Sequence, residues 1–259
     1  MQKNKNPITD IQAQPISLHA SYVVLVLFAA TLVLNTVSFV IGYAAVSTGD
    51  YARYASLGRL FYVGIEKNIP TYFSGTILFS AFVLLTFIAV VEIQRKTSWR
   101  CHWGMLAVGF LVMTIDELLS FHERLSSIVR PLLKGETYGV FFFSWVVVAI
   151  PVVLFLALFF VRFWWKLPQK SKITFLFAAI VYLSGCLGFE MIEGYYAEKY
   201  GINTTYIIVE AMEEGLEMFG IIIFIWGLLN HIEKHCQVEL RAFFKFTKKW
   251  AQSLSFVSK

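Results

Sequence analysis

Six stretches of this chain are apolar over lengths that a soluble fold seldom needs. They run at about 21–46, 71–93, 101–125, 140–163, 173–196 and 204–229. A helix crosses the roughly 30 Å hydrocarbon layer with about 20 residues at about 1.5 Å each. Inside hydrocarbon every backbone donor and acceptor must be satisfied within the segment, which favours helices over open sheets. The expected fold class is therefore an all-α integral membrane protein, a bundle of six transmembrane helices. The stretch at 140–163 meets no charge before Arg162, and its Pro151 is the obvious kink point. With 58% apolar and 15% charged residues in 259, there is no room for a separate soluble domain. The division is a polar tail at 1–20, a membrane domain at 21–230 and a basic amphipathic tail at 231–259. Ser21–Val46 is too long for the core of a signal peptide and reads as a retained first span.

The net charge of +5 would suggest nucleic acid in a soluble chain, but the basic residues cluster at helix ends and serve topology instead. No nucleic-acid partner is expected. Cys101, Cys186 and Cys236 form no CxxC pair, which leaves disulfide scaffolds and zinc ribbons unsupported. Counting Arg124 and Arg162 with their adjacent loops, the tails and the second and fourth loops hold 15 Lys and Arg, the other loops 7. The positive-inside rule then puts both termini in the cytoplasm of a multi-pass protein of the cell membrane, with a bacterial inner membrane the expected setting. Phe243, Phe246, Trp250, Leu254 and Val257 recur at helical spacing beside Lys245, Lys248 and Lys249. They predict an amphipathic helix lying on the anionic lipids of the inner leaflet. Residues 47–70 carry a second amphipathic segment around Tyr51, Tyr54, Leu57, Leu60 and Phe61.

Against this background the acids stand out. Glu210, Glu213, Glu214 and Glu217 fall within eight residues of the sixth stretch. At 100° per residue they share an arc of about 100°, one face of one helix. Placing a single carboxylate in hydrocarbon costs roughly 2.5–3.5 kcal/mol even on the lenient insertion scale. The third stretch carries Asp116, Glu117, His122 and Glu123, and the fifth carries Glu190 and Glu193. With both termini inside, all three groups fall in the outer half of the membrane. On one continuous helix Asp116 and Glu123 would point within about 20° of each other. Gly185, Gly188, Gly215 and Gly220 are placed to let the fifth and sixth helices approach closely. So many like charges in a low dielectric need cations or shared protons. The expected metal ligands are Asp116, His122, Glu123, Glu190, Glu193, Glu210, Glu213, Glu214 and Glu217, with Glu214 and Glu123 as the acids that handle protons.

Glu190–x–x–Glu193, Glu210–x–x–Glu213, Glu214–x–x–Glu217 and the adjacent His122–Glu123 give the chain a motif-level resemblance to a known family. It resembles the ferritin-like carboxylate-bridged dimetal helical bundles. That family uses two Glu-x-x-His pairs, whereas Leu119 stands three residues before His122 here. The resemblance implies two divalent metal ions, Fe or Mn by preference, and oxygen or redox chemistry. The oxygen-rich ligand set also suits Mg or Ca, and Zn is a further option.

Each group also has a plainer reading. Glu190 and Glu193 could face interfacial water, Glu117 could pair with Arg124, and His122 could be a hydrogen-bonded rim residue. Cys186 fits a core position, and Tyr195, Tyr196 and Tyr206 fit an aromatic belt. His102, His231 and His235 fall at the opposite ends of their helices from the acids. Three functions follow from these readings. One is a membrane metalloenzyme, an oxidoreductase or hydrolase acting on an apolar or lipid substrate. The second is a transporter or channel for divalent cations or protons, disfavoured because the inner halves of the spans hold almost no ionisable residue. The third is a scaffold or assembly subunit.

Overall fold

The computed structural model describes residues 19–133 and 138–242. Among these there are helices and turns but no strand. Helix α1, Ala20–Thr48, ends on Gly49 at φ 68°, whose N–H reaches back to the Ala45 carbonyl. This is the left-handed C-terminal cap that glycine adopts at no steric cost. Helix α2, Tyr51–Phe61, starts at Asp50, which accepts from the Arg53 N–H at 3.1 Å. Helix α3, Ile69–Gln94, starts at Asn68, which accepts from Thr71 N–H, with Pro70 in its first turn. Then come α4, Arg100–Leu119, and α5, Phe121–Val129, followed by 3-10 turns at Arg130–Leu133 and Gly139–Phe141. Helix α6 is Val146–Lys166 and α7 is Gln169–Leu183. A π-helical segment, Ser184–Phe189, joins α7 to α8, Glu190–Tyr200. Helix α9, Thr204–His235, is capped by Asn203, which accepts from the N–H groups of Thr205 and Tyr206.

Six of these rods, with α7 through α8 counted as one of 32 residues, are long and apolar enough to cross a membrane. The six expected stretches are therefore all present as helices, and the amphipathic segment at 47–70 is α2. Helix α9 is the axis. Its apolar window is 61% buried, far more than that of any other rod, and it packs against α1, α3, α7 and α8. Met218, Ile221, Ile222, Ile225, Leu228 and Ile232 form its buried stripe at helical spacing. Helix α3 pairs with α4, and α6 joins through rings, with Phe163 lying 5.1 Å from Trp103 and 5.4 Å from His102. At the far end from the acids, Arg95 grips both carboxylate oxygens of Glu239 at 2.9 Å and the His235 carbonyl at 2.8 Å. His231 is buried there against Ser171 Oγ at 3.0 Å.

Several expectations need correction. The third stretch is not one helix, because Ser120 adopts φ 52°, ψ 48° and separates α4 from α5. Helical phase therefore does not relate Asp116 to Glu123. The fifth rod carries a π segment, which shifts the phase of everything after Leu183. The fourth helix begins at Val146 because the residues before it form a tight turn, and the sixth continues to His235. Close approach of the fifth and sixth rods rests on Gly220 and Gly185 among the expected glycines, and also on Gly227, where a Cβ would lie 2.7 Å from the Phe175 ring. A Cβ on Gly220 would lie 2.6 Å from the Tyr182 nitrogen, and one on Gly185 would lie 2.8 Å from the Glu213 carbonyl. Gly215 faces Asn35 of α1 at 3.6 Å instead, and Gly188 has no neighbour within 4 Å. The predicted tail helix at Phe243, Phe246, Trp250, Leu254 and Val257 lies outside the described residues, as does most of the polar tail at 1–20.

Candidate metal centre

One cavity of about 440 Å³ opens among α3, α4, α5, α8, α9 and the loop at 62–68. Asp116, His122, Glu123, Glu190, Glu193, Glu210, Glu213, Glu214 and Glu217, all the residues predicted as ligands, line it. Glu66 and Glu117 line it too, so ten of the chain's 17 carboxylates meet in one space. Glu190 and Glu193 thus face the cavity. Glu117 joins it as well, and no Glu117–Arg124 ion pair forms among the described residues.

One wall of the cavity lies between α8 and α9. Glu193, Glu210 and Glu213 are 6%, 5% and 8% exposed. Glu213 faces Glu190 and Glu193, and its Oε2 meets no hydrogen-bond donor. The other acids here are tethered by donors. Trp145 Nε1 donates to Glu190 Oε1 at 2.9 Å, the Tyr62 hydroxyl donates to Glu210, and the Tyr206 hydroxyl reaches Glu193. Burial and the neighbouring Glu210 charge push the Tyr62 phenol upward, so it keeps its proton and acts as a donor. Cys186 is a free, buried thiol on the same wall. A second group, Glu117, Glu214 and Glu217, lies between α4 and α9, with Ser74 of α3 against Glu117.

The rim is built by the break at Ser120. Turning the chain there brings α5 back over Asp116, whose Oδ1 accepts from the His122 N–H at 2.9 Å while Oδ2 lies 3.0 Å from His122 Nδ1. Burial pulls the imidazole down, but the Asp116 bond and charge, with Glu190 and Glu66 behind them, outweigh it and raise its pKa to about 9. The Trp145 ring packs 5.5 Å from the imidazole. Glu123 is exposed at the mouth.

The loop at 62–68 closes this side. Val63 N–H donates to Ser38 Oγ at 2.9 Å, and Asn68 Nδ2 donates to the carbonyls of Tyr62 and Ile65, both at 2.6 Å. Gly64 lies so tightly on Glu210 that a Cβ there would collide with its carboxylate. Glycine is required here by space, not by backbone angle. Held this way, the loop presents Glu66, whose carboxyl is pushed up by burial and then by Glu123. One ligand atom each from Glu66, His122 and Glu123 lie within 4.8 Å of one another. Sequence reasoning missed Glu66, Tyr62 and Arg130. The one signal available was that both loops carrying them fall at the acid-bearing end. Arg130 also lines the cavity, donating to the Phe142 carbonyl with its guanidinium 4.5 Å from the Phe142 ring.

The arrangement suits cation binding: many carboxylate oxygens, one imidazole, rigid helical presentation, and tyrosine and tryptophan donors that orient individual acids. No curated protein and no solved structure matches the chain. A family model described as "Domain of unknown function (DUF8692)" matches residues 23–232, a span that contains every cavity residue named above. The chain belongs to the DUF8692 family.

Proposed function

We propose that this DUF8692 protein is a multi-pass membrane metalloenzyme whose cavity holds two divalent ions, Fe or Mn by preference, and acts on an apolar or lipid substrate. The observation that carries the reading is the meeting of ten carboxylates in one cavity, one of them with a buried oxygen that no donor reaches. Two carboxylates about 4 Å apart repel by about 4 kcal/mol at an effective dielectric of 20. A cation removes that repulsion and supplies the missing partner of Glu213.

The membrane setting is supported by the outer faces of the bundle, where Leu25, Phe155 and Leu158 are 65%, 65% and 76% exposed. Both termini are read as cytoplasmic from the Lys and Arg distribution, which puts the cavity in the outer half of the bilayer. The predicted tail helix would rest on the inner leaflet. Below the acids, Met218, Ile221, Ile222 and Leu228 belong to one buried apolar cluster, and the buried polar groups on the α1 side, Thr31 and Asn35, are not ionisable. That blind floor fits an enzyme better than an ion path. Phe142, Phe143, Trp145 and Met113 supply an apolar lining for a substrate.

Bound metal ions would supply Lewis-acid or redox chemistry at this site. Glu190, Glu193, Glu210, Glu213, Glu214 and Glu217 would hold them from the helices, with His122 and Glu123 at the rim. Tyr62 and Trp145 fix the acids they touch. Glu214, beside Glu117 and Glu217, and the exposed Glu123 are the acids placed to hold and pass protons.

Metal analysis of protein purified in mild detergent tests this reading, with two divalent ions per chain expected. Glu213→Gln combined with Glu214→Gln should abolish at least one of them. If no metal co-purifies or rebinds and the double variant leaves stability unchanged, the reading is wrong. Cation flux into liposomes containing the protein would show transport in its place.

A further inference from the structure

We infer that the cavity contains a distinct rim metal subsite made by Glu66, His122 and Glu123, in which Asp116 positions the imidazole and does not itself bind the ion. The inference rests on the metal-binding reading above and divides its ligands between two unlike subsites.

The geometry separates Asp116 from the ligands. Its Oδ1 is taken by the His122 N–H at 2.9 Å and its Oδ2 by His122 Nδ1 at 3.0 Å. A carboxylate only accepts, so the proton of that second bond resides on Nδ1. When an ion displaces the other ring proton, the Nδ1–H stays with Asp116 and Nε2 is the nitrogen left to bind the metal. A carboxylate behind an imidazole is the outer-shell arrangement that orients metal-binding histidines. Asp116 therefore resembles a support, and its place among the ligands passes to Glu66.

Glu66 is held there by a built loop. The Ser38, Asn68 and Gly64 contacts fix the backbone on either side of it. Ligands about 2.0–2.2 Å from one ion lie at most about 4.4 Å apart. The mutual spacing of up to 4.8 Å among Glu66, His122 and Glu123 closes to that with a few tenths of an ångström of side-chain movement. Beside Glu66, Ser120 is only 7% exposed, and its hydroxyl makes no hydrogen bond of good geometry. It is a buried polar group at the edge of the site that a metal-bound water would satisfy.

The rim subsite contains nitrogen, whereas the acids between α8 and α9 offer oxygen alone. An ion at the rim should therefore carry a histidine signature that an ion deeper in the cavity lacks. The experiment uses the full chain in detergent, stripped with EDTA and titrated with Mn(II) alone, and read by equilibrium dialysis and pulsed EPR. The wild type is expected to show two Mn(II) per chain, one with a 14N coupling. His122→Gln should remove the coupling and one ion, and Glu66→Gln should weaken the same ion at least tenfold. Asp116→Asn should keep the ion but weaken it about 10–100-fold with an altered 14N coupling. Glu213→Gln should spare the nitrogen-coupled ion and lose the other. Size-exclusion profiles matching the wild type confirm that each variant is folded. Mn(II) binding without any 14N coupling, or unchanged by both His122→Gln and Glu66→Gln, would overturn the rim subsite while leaving the wider cavity reading intact. A wild type that binds no Mn(II) overturns both.

Discussion

Replacing Glu213 with Gln should change the protein's stability in opposite directions with and without metal. Glu213 is 8% exposed, faces Glu190 and Glu193, and leaves Oε2 without a donor. In EDTA the substitution keeps the shape, removes one of three facing carboxyl groups and adds an amide N–H₂ that Glu190 or Glu193 can accept from. One such charge pair at about 4 Å is worth about 4 kcal/mol at an effective dielectric of 20. Proton sharing already relieves part of this, so the net gain should be about 1–3 kcal/mol. At about 2–4 °C per kcal/mol the melting temperature should rise by several degrees. In Mn(II) at 100 times Kd the wild type gains about 2.7 kcal/mol from binding, and the variant forfeits most of that gain. Thermal unfolding followed by tryptophan fluorescence in detergent, with EDTA or with Mn(II), measures both arms. Destabilisation of equal size in the two conditions would mean that Glu213 serves packing alone, and the electrostatic reasoning would be refuted.

Gly220→Ala should destabilise by about 1–3 kcal/mol, because its Cβ would meet Tyr182 backbone atoms that cannot move aside. Gly188→Ala, with open space around it, should be neutral or stabilise by up to about 1 kcal/mol in the same melts. Tyr62→Phe removes the donor to a Glu210 that is 5% exposed and should cost about 1–3 kcal/mol, measured by thermal unfolding. Burial alone would raise the Glu239 carboxyl, but the Arg95 hydrogen bonds hold it below its ordinary value. A depressed carboxylate adds stability above its ordinary pKa, about 4.3, and loses it as pH falls through the lower folded value. Melting curves from pH 6 to pH 3 should therefore fall more steeply for the wild type than for Glu239→Gln; parallel curves would remove Glu239 from the account.

The six rods were legible because length and apolar content alone constrain them. Helix ends moved by only a few residues where Gly49, Asn68 and Asn203 supply local caps. The convergence of acids was legible because charges on apolar helices are costly and helix direction sorts them by depth. The interior breaks were not. Ser120 adopts a left-handed conformation with no glycine or proline to announce it, so the phase argument joining Asp116 to Glu123 failed although both residues line the cavity. The π segment at Ser184–Phe189 likewise left no periodic signal in an apolar run. Glu66 and Tyr62 depend on the fold of a loop, set by Ser38 and Asn68 side chains distant in sequence or unremarkable in type. Gly64 is conspicuous only once Glu210 is seen pressed against it.

Anomalous diffraction from crystals grown with Mn(II), collected at the manganese edge, tests the central claim most directly. The account predicts two peaks inside the carboxylate cavity, one beside Glu213 facing Glu190 and Glu193, the other among Glu66, His122 and Glu123. A cavity without an anomalous peak, or peaks confined to the outer surface of the bundle, would contradict it.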